Sequence, residues 1–291
     1  MSETFHVIEY NDKRANIDID ILTMCNYHCW YCYARERKDI WNRIMSMDMI
    51  RIITNKIKRF KKEIDIGILG GEPTLHPRLE EVVREFSKCK NIRDLVLFSN
   101  GTRTKLLDVL SNLQVNRDPR LKVNLSFHPT EIKDFEKFND IVDKVYKMGF
   151  LWKITVMITK GQEDKINKFM KLKEKYPDVF FEQTYPVVHD EIEEMGADLD
   201  QELIRSFVVN EDTDHPLTYD EVVDRGLNHF KGWKCALRYF HINVDGSTNT
   251  NCFNGVGNVF EPLFDFNDYD QKICPFNECV HDCMLETLKV K

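Results

Sequence analysis

The 291-residue chain reads as an α/β protein, an open barrel of strand–helix units followed by a small cysteine-rich unit built on a β-hairpin. Three observations predict this. Short apolar runs alternate with stretches of helical period up to about residue 185, the signature of βαβ units around a parallel sheet. The glycine-bearing and polar motifs fall at the carboxyl ends of the predicted strands, where barrels of this kind carry their sites. The cysteines are bunched, three at 25–32 and five between 235 and 283, which sets the last stretch apart.

Ile17–Leu22 alternates apolar and polar side chains and is strand one; the cysteine loop follows it directly. Ser46 is placed to cap a helix with Ile50, Ile53, Ile57 and Phe60 on one face. Ile64–Leu69 is strand two, followed by Gly70-Gly71-Glu72-Pro73 and a helix bearing Leu79, Val82, Val83 and Phe86. Leu95–Phe98 is strand three, with Ser99-Asn100-Gly101 and a helix over 104–113 behind it. Leu121–Ser126, Trp152–Ile158 and Val179–Thr184 complete the strands, with helices near 132–148 and 165–176 between them. Six units are two short of a closed eight-fold ring, so residues 1–185 are expected to form a partial (β/α)6 TIM-like barrel.

Residues 186–231 turn acidic, with Glu191, Glu193, Glu194, Asp198 and Asp200, and read as a connector or lid with helices near 200–209 and 219–230. Residues 232–291 form the cysteine-rich unit. There Tyr239–Val244 and Ser247–Phe253 flank Asp245-Gly246, a hairpin signal.

Composition narrows the function. A net charge of −7 and a pI near 5.8 argue against a nucleic-acid partner, whose footprint is basic. No apolar run reaches the ~18 residues of a membrane span, and the amino terminus is polar, so a cytoplasmic protein without a membrane partner is expected. In a reducing compartment the nine cysteines are ligands or free thiols rather than disulfides. Cys89, at the end of a helix, is expected to carry no chemistry.

Cys25, Cys29 and Cys32 are spaced Cys-x3-Cys-x2-Cys. Three thiolates at this spacing can hold three corners of a cubane iron–sulfur cluster, leaving one iron with an open position. A zinc site with a distant fourth ligand is the other reading, although zinc is usually held by pairs of ligands.

The cysteine loop after strand one, with Gly-Gly-Glu-Pro after strand two, resembles the radical S-adenosylmethionine (radical SAM) superfamily over roughly residues 15–190. The resemblance implies a [4Fe–4S] cluster on Cys25, Cys29 and Cys32, its open iron chelated by S-adenosylmethionine. It implies further cofactor contacts at Tyr31, beside the adenine, and at Gly70, Gly71, Glu72 and Pro73, toward the methionine amino group. Ser99, Asn100 and Ser126 match strand-end contacts, and Gln183 ends strand six within reach of adenine or substrate. His128 stands where many relatives carry an acidic residue, and a substrate contact and a structural role are both open.

The carboxyl-terminal cysteines resemble the SPASM and twitch extensions that bind auxiliary clusters. Five cysteines fit the shorter twitch type with one auxiliary [4Fe–4S] cluster, held by Cys235, Cys252 and two of Cys274, Cys279 and Cys283. A structural zinc is the alternative there. The expected function is hydrogen abstraction from a substrate C–H by a 5′-deoxyadenosyl radical, with the auxiliary cluster assisting oxidation or bond formation on a small molecule or peptide. Flavodoxin or ferredoxin is the expected electron donor. Epimerisation with a cysteine thiol as hydrogen donor and a non-catalytic metal-binding module are the competing readings.

Overall fold

The computed structural model describes residues 14–32, 42–159, 161–184, 238–250 and 255–269, with isolated positions between 224 and 277. Six parallel strands stand side by side in chain order: β1 (Arg14–Asp20), β2 (Glu63–Leu69), β3 (Ile92–Ser99), β4 (Leu121–Phe127), β5 (Leu151–Met157) and β6 (Phe180–Thr184). Between them run α1 (Met47–Ile57), α2 (Leu79–Ser87), α3 (Lys105–Gln114), α4 (Phe135–Lys147) and α5 (Glu163–Met170). This is the α/β partial barrel that the alternation predicts.

Local chemistry sets the element ends. Ser46 caps α1, its Oγ accepting the Met49 N–H at 3.3 Å. The helix expected from residue 132 starts later, at Phe135, because Asp134 accepts the Lys137 N–H at 3.0 Å and so becomes its cap. Strand one ends at Asp20 rather than Leu22. Leu22 instead bridges antiparallel to Ile44, as the chain leaves the ladder for the cysteine loop. The helix expected over 165–176 divides into α5 and a short 3-10 turn, Lys173–Lys175.

The core lies between sheet and helices. Ile17, Ile19, Ile66, Leu97 and Leu125 are fully buried against Ile50, Ile53, Val82, Phe86 and Leu110. Burial of each such side chain contributes about 1.5–3 kcal/mol. Phe127 stacks on Phe169 with centroids 4.2 Å apart, which fixes α5 over β4. Cys89 is part of this core, fully buried, with its Sγ 3.7 Å from Thr54 O.

The other face of the strands is polar. Lys153 Nζ pairs with Glu182 at 2.8 Å, Thr155 donates to Glu182 at 3.2 Å, and Asn124 Nδ2 donates to Thr155 at 3.1 Å. Asp18 shares this face, and Gly67 on β2 makes room for it: a Cβ at residue 67 would lie 2.1 Å from Asp18 Oδ1.

Beyond the barrel strands come β7 (Lys234–Cys235), β8 (Tyr239–Ile242), β9 (Ser247–Thr250), β10 (Gly257–Asn258) and β11 (Lys272–Ile273). β8 and β9 are the expected hairpin, somewhat shorter than the sequence suggests. Its position is the surprise. β8 pairs parallel with β1, Asp18 opposite His241, so the hairpin together with β10 extends the barrel's own sheet to nine strands, ordered β10-β9-β8-β1-β2-β3-β4-β5-β6. Lys56 on α1 secures the chain that follows, its buried Nζ donating to Glu261 O at 2.8 Å and Phe264 O at 2.7 Å. Phe60, Phe240 and Phe266 meet beside this bond. The helices expected near 200–209 and 219–230 lie almost entirely outside the described residues. Among the described residues no helix is long and apolar enough to cross a membrane.

Candidate functional site

β1 delivers the chain to the cysteine loop at the carboxyl end of the sheet, and the turn after β2 docks directly beneath it. Gly71 N–H donates to Leu22 O at 3.0 Å and Glu72 N–H to Met24 O at 2.8 Å. The two glycines are required by this approach. A Cβ at residue 70 would lie 2.3 Å from Leu22 O, and one at residue 71 would lie 2.1 Å from Met24 O. The space left by the missing side chains is thus taken by the protein's own backbone, where the motif alone suggests room for a ligand.

Glu72 ties this turn to the end of β3. It is 1% exposed, and its carboxylate accepts from Thr74 N at 3.1 Å, Thr74 Oγ1 at 2.6 Å, Ser99 Oγ at 2.8 Å and Asn100 N at 2.8 Å. Burial pushes its pKa above the ordinary carboxylate value, while these donors oppose the shift. Pro73 is buried and starts a short 3-10 turn, Pro73–Leu75. Asn100 passes the linkage on to the cysteine loop: its Nδ2 donates to Asn26 Oδ1 at 3.1 Å and lies 4.0 Å from Cys25 Sγ. Asn26 reaches back to Thr102 Oγ1 at 2.8 Å.

Cys25, Cys29 and Cys32 are free thiols. The Tyr27 N–H points at Cys25 Sγ from 3.4 Å, and the Cys32 N–H donates to Cys29 O at 3.2 Å. Burial pushes the Cys25 thiol up to about 11 and the Cys29 thiol up to about 12. Both are therefore neutral near pH 7 unless a cation draws the proton off. Cys29 faces the end of β4, with its Sγ 3.7 Å from His128 Nδ1; Tyr31 Oη lies 3.0 Å from the same nitrogen. The Tyr31 and His128 rings stack, and Tyr27 meets His128 edge-on. Burial lowers the His128 imidazole to about 4. Glu131 accepts the His28 N–H at 3.3 Å and pins the loop from the β4 side.

The structure therefore brings together Cys25, Cys29, Cys32, Tyr31, Gly70, Gly71, Glu72, Pro73, Ser99 and Asn100. Ser126 lies nearby in β4, opposite Thr155. Gln183 sits in β6 opposite Val156. Cys235 is in β7, paired with Lys272, while Cys252, Cys274, Cys279 and Cys283 lie outside the described residues. Sequence reasoning missed Asn26, Thr102 and Glu131, ordinary loop residues with no local signal. It also missed Asp18, Asp20, Tyr239 and His241, whose only signal is the polar phase of two alternating strands.

Do these residues fit a metal cluster and an organic cofactor? Among the described residues no three His, Cys, Asp or Glu side chains are already gathered around one point. The donor chemistry does fit: three free thiols on one loop, one receiving a backbone N–H, with Glu72 engaged by Thr74, Ser99 and Asn100 and Glu131 by the His28 N–H. Two buried hydroxyls at the same end of the sheet, Tyr27 Oη and Thr159 Oγ1, have no hydrogen-bond partner among the described residues. Unmet polar groups at a barrel mouth suit a polar ligand.

A partial α/β barrel with a three-thiol loop at the mouth of its first strand defines the class of site. Residues 19–172 match the family model of the Radical SAM superfamily, and the chain belongs to that superfamily. Membership implies a [4Fe–4S] cluster and S-adenosylmethionine. Among relatives, the probable GTP 3′,8-cyclase of Saccharolobus islandicus is 26% identical over 167 residues, covering 54% of this chain and 52% of that protein. The GTP 3′,8-cyclase of Clostridium acetobutylicum is 25% identical over 199 residues, covering 60% and 59%. The chain thus spans little more than half the length of these curated relatives. Among solved structures, His6-tagged anSMEcpe with bound AdoMet superposes with a TM-score of 0.62 at 16% identity, over 88% of this chain and 82% of that one. That likeness is one of fold.

Proposed function

We propose that this radical SAM enzyme abstracts hydrogen from a substrate C–H bond, and that a second, auxiliary [4Fe–4S] cluster assists oxidation or bond formation on a small molecule or peptide. The observation that carries the reading is the free-thiol loop seated on the Gly70-Gly71-Glu72 turn at the carboxyl end of the sheet. The cluster, when bound, would supply one electron for the reductive cleavage of S-adenosylmethionine to methionine and a 5′-deoxyadenosyl radical able to take a hydrogen atom.

The chain's own residues do the rest. Cys25, Cys29 and Cys32 would hold three irons, leaving one for the cofactor. Glu72 holds the turn and the end of β3 together, so that Gly70, Gly71, Pro73, Ser99 and Asn100 face the cofactor from fixed positions. Tyr31 would lie beside the adenine. Ser126 and Gln183 line the cofactor or substrate from the later strands. Cys235, Cys252 and two of Cys274, Cys279 and Cys283 hold the auxiliary cluster in a SPASM- or twitch-like unit spanning 232–291. The edge position of β8 supports this, because it brings the chain between Cys235 and Cys252 alongside β1. Flavodoxin or ferredoxin supplies the electrons.

Both substrate classes have support. The curated relatives are named for a reaction of GTP. A further anSMEcpe structure of the same fold holds AdoMet with a Cp18Cys peptide.

Anaerobic reconstitution with iron counting tests the reading. Two cubanes predict roughly eight irons per chain, falling to about four when Cys25, Cys29 and Cys32 are replaced by alanine. A reconstituted parent with one cubane overturns the auxiliary cluster. Failure to form 5′-deoxyadenosine from S-adenosylmethionine under dithionite overturns the radical chemistry.

A further inference from the structure

His128 follows directly on β4, and nothing in the proposed reaction yet uses it. Its ring is held on two sides. Tyr31 stacks on it with centroids 6.0 Å apart and planes 15° apart, and Tyr27 meets it edge-on at 5.7 Å and 79°. The imidazole plane is fixed, with Nδ1 turned toward the cysteine loop, 3.7 Å from Cys29 Sγ and 3.0 Å from Tyr31 Oη.

These three atoms form a closed group, and the protons within it are limited. An iron-bound Cys29 sulfur is an acceptor only. The Tyr31 hydroxyl and one imidazole tautomer can each donate. Hydrogen bonds to an ionised acceptor are roughly twice as strong as neutral ones. With Nδ1 protonated, the imidazole and the Tyr31 hydroxyl can both donate to Cys29, whereas the other tautomer takes the Tyr31 proton at Nδ1 and leaves the ionised sulfur with neither donor. A separation of 3.7 Å suits an acceptor as large as sulfur.

We propose that His128 is a positioning residue of the cluster, donating its Nδ1–H to the sulfur of Cys29 and thereby setting how readily the cluster is reduced. The inference rests on the reading of Cys29 as a cluster ligand. A hydrogen bond withdraws electron density from the thiolate, so the cluster takes up an electron more easily; bonds to the sulfurs are among the levers on iron–sulfur potentials. Cys25 receives its nearer contact from backbone, the Tyr27 N–H at 3.4 Å, with the Asn100 amide farther off at 4.0 Å. Cys29 receives its own from a side chain, which substitution can remove.

The test is a redox titration of the reconstituted protein followed by electron paramagnetic resonance, taking the cluster signal that changes on addition of S-adenosylmethionine. Replacing His128 with leucine removes the donor. At a fixed poise the ratio of reduced to oxidised cluster should fall about tenfold, a shift of about 59 mV for one electron. Replacing His128 with asparagine puts an amide N–H near the place of Nδ1, and the ratio should stay within about threefold of the parent. An unchanged ratio in His128→Leu, or an equal fall in both variants, overturns the proposal. A second measurement needs no variant: in parent protein labelled with 15N-histidine, pulsed resonance of the reduced cluster should show a 15N coupling, and its absence overturns the bond. A parent without any such cluster overturns the proposed function as well. A parent with the cluster but without the His128 effect overturns the inference alone.

Discussion

His241 Nε2 lies 3.0 Å from Asp20 Oδ2, joining two residues 221 positions apart in the chain. Beside it Tyr239 Oη donates to Asp18 Oδ2 at 2.9 Å. Both bonds run from β8 to β1 on the polar face of the sheet, and β1 is the strand that delivers the cysteine loop. Replacing His241 with phenylalanine removes this one hydrogen bond from the buried Asp20 carboxylate, a cost of about 1–3 kcal/mol. Hydrogen exchange should quicken in residues 239–250 before it does in β2–β5. Equal protection of both regions in the variant would count against this linkage.

Glu72→Gln is a sharper test of the site's frame. Glutamine can still accept from Thr74 and Ser99 through one oxygen, but its amide group then confronts the Asn100 N–H, donor against donor. A loss of about 1–3 kcal/mol is expected from urea unfolding. Binding of S-adenosylmethionine to the reconstituted protein should weaken with it.

Gly71→Ala places a methyl group against Met24 O, where it has 2.1 Å. The turn and the cysteine loop cannot both keep their places. Iron incorporation should fall, whereas Gly161→Ala, with nothing within 4 Å of the added carbon, should leave it intact. Gly161 carries a positive φ of 77°, so a small loss of stability is expected there regardless. Equal iron content in Gly71→Ala and the parent would show that the close approach is dispensable.

The acid limb of the stability curve should carry the mark of Asp118. Burial alone would raise this carboxyl, but the bonds from Arg120 outweigh it and hold it below the ordinary range. Arg120 also donates to Cys89 O at 2.7 Å, Ile92 O at 2.9 Å and Ser87 O at 2.6 Å, latching the chain after α2 to β4. With the folded value below the unfolded one, the contribution is complete above about pH 4–5 and is lost as the pH falls through the depressed value. Urea midpoints of the parent should drop more steeply than those of Asp118→Asn between pH 5 and about pH 3. Parallel curves would mean that the pair contributes nothing.

Lys56→Met removes the two bonds to Glu261 O and Phe264 O while keeping most of the buried stem. Two carbonyls lose their donor, for about 1–3 kcal/mol in all. Proteolysis should then reach residues 255–269 first, with the barrel still protected.

By itself the sequence determined what is local. Strand and helix identity follow from periods of two and 3.6 that each segment carries on its own, and the caps at Ser46 and the turn at Asp245-Gly246 from the residues in place. The thiol loop and the Gly-Gly-Glu-Pro turn were legible for the same reason: short-range spacing records short-range geometry. Only the tertiary structure decided what depends on long-range approach. That β8 lies parallel to β1, that Gly71 is shaped by Met24 rather than by a ligand, and that Gly67 yields its space to Asp18 all depend on segments far apart in the chain. Nothing in the spacing encodes that the ring of His128 is clasped between Tyr27 and Tyr31. Such contacts are set when the whole sheet closes over one core, because only then does the geometry of one strand end become a boundary condition for the next.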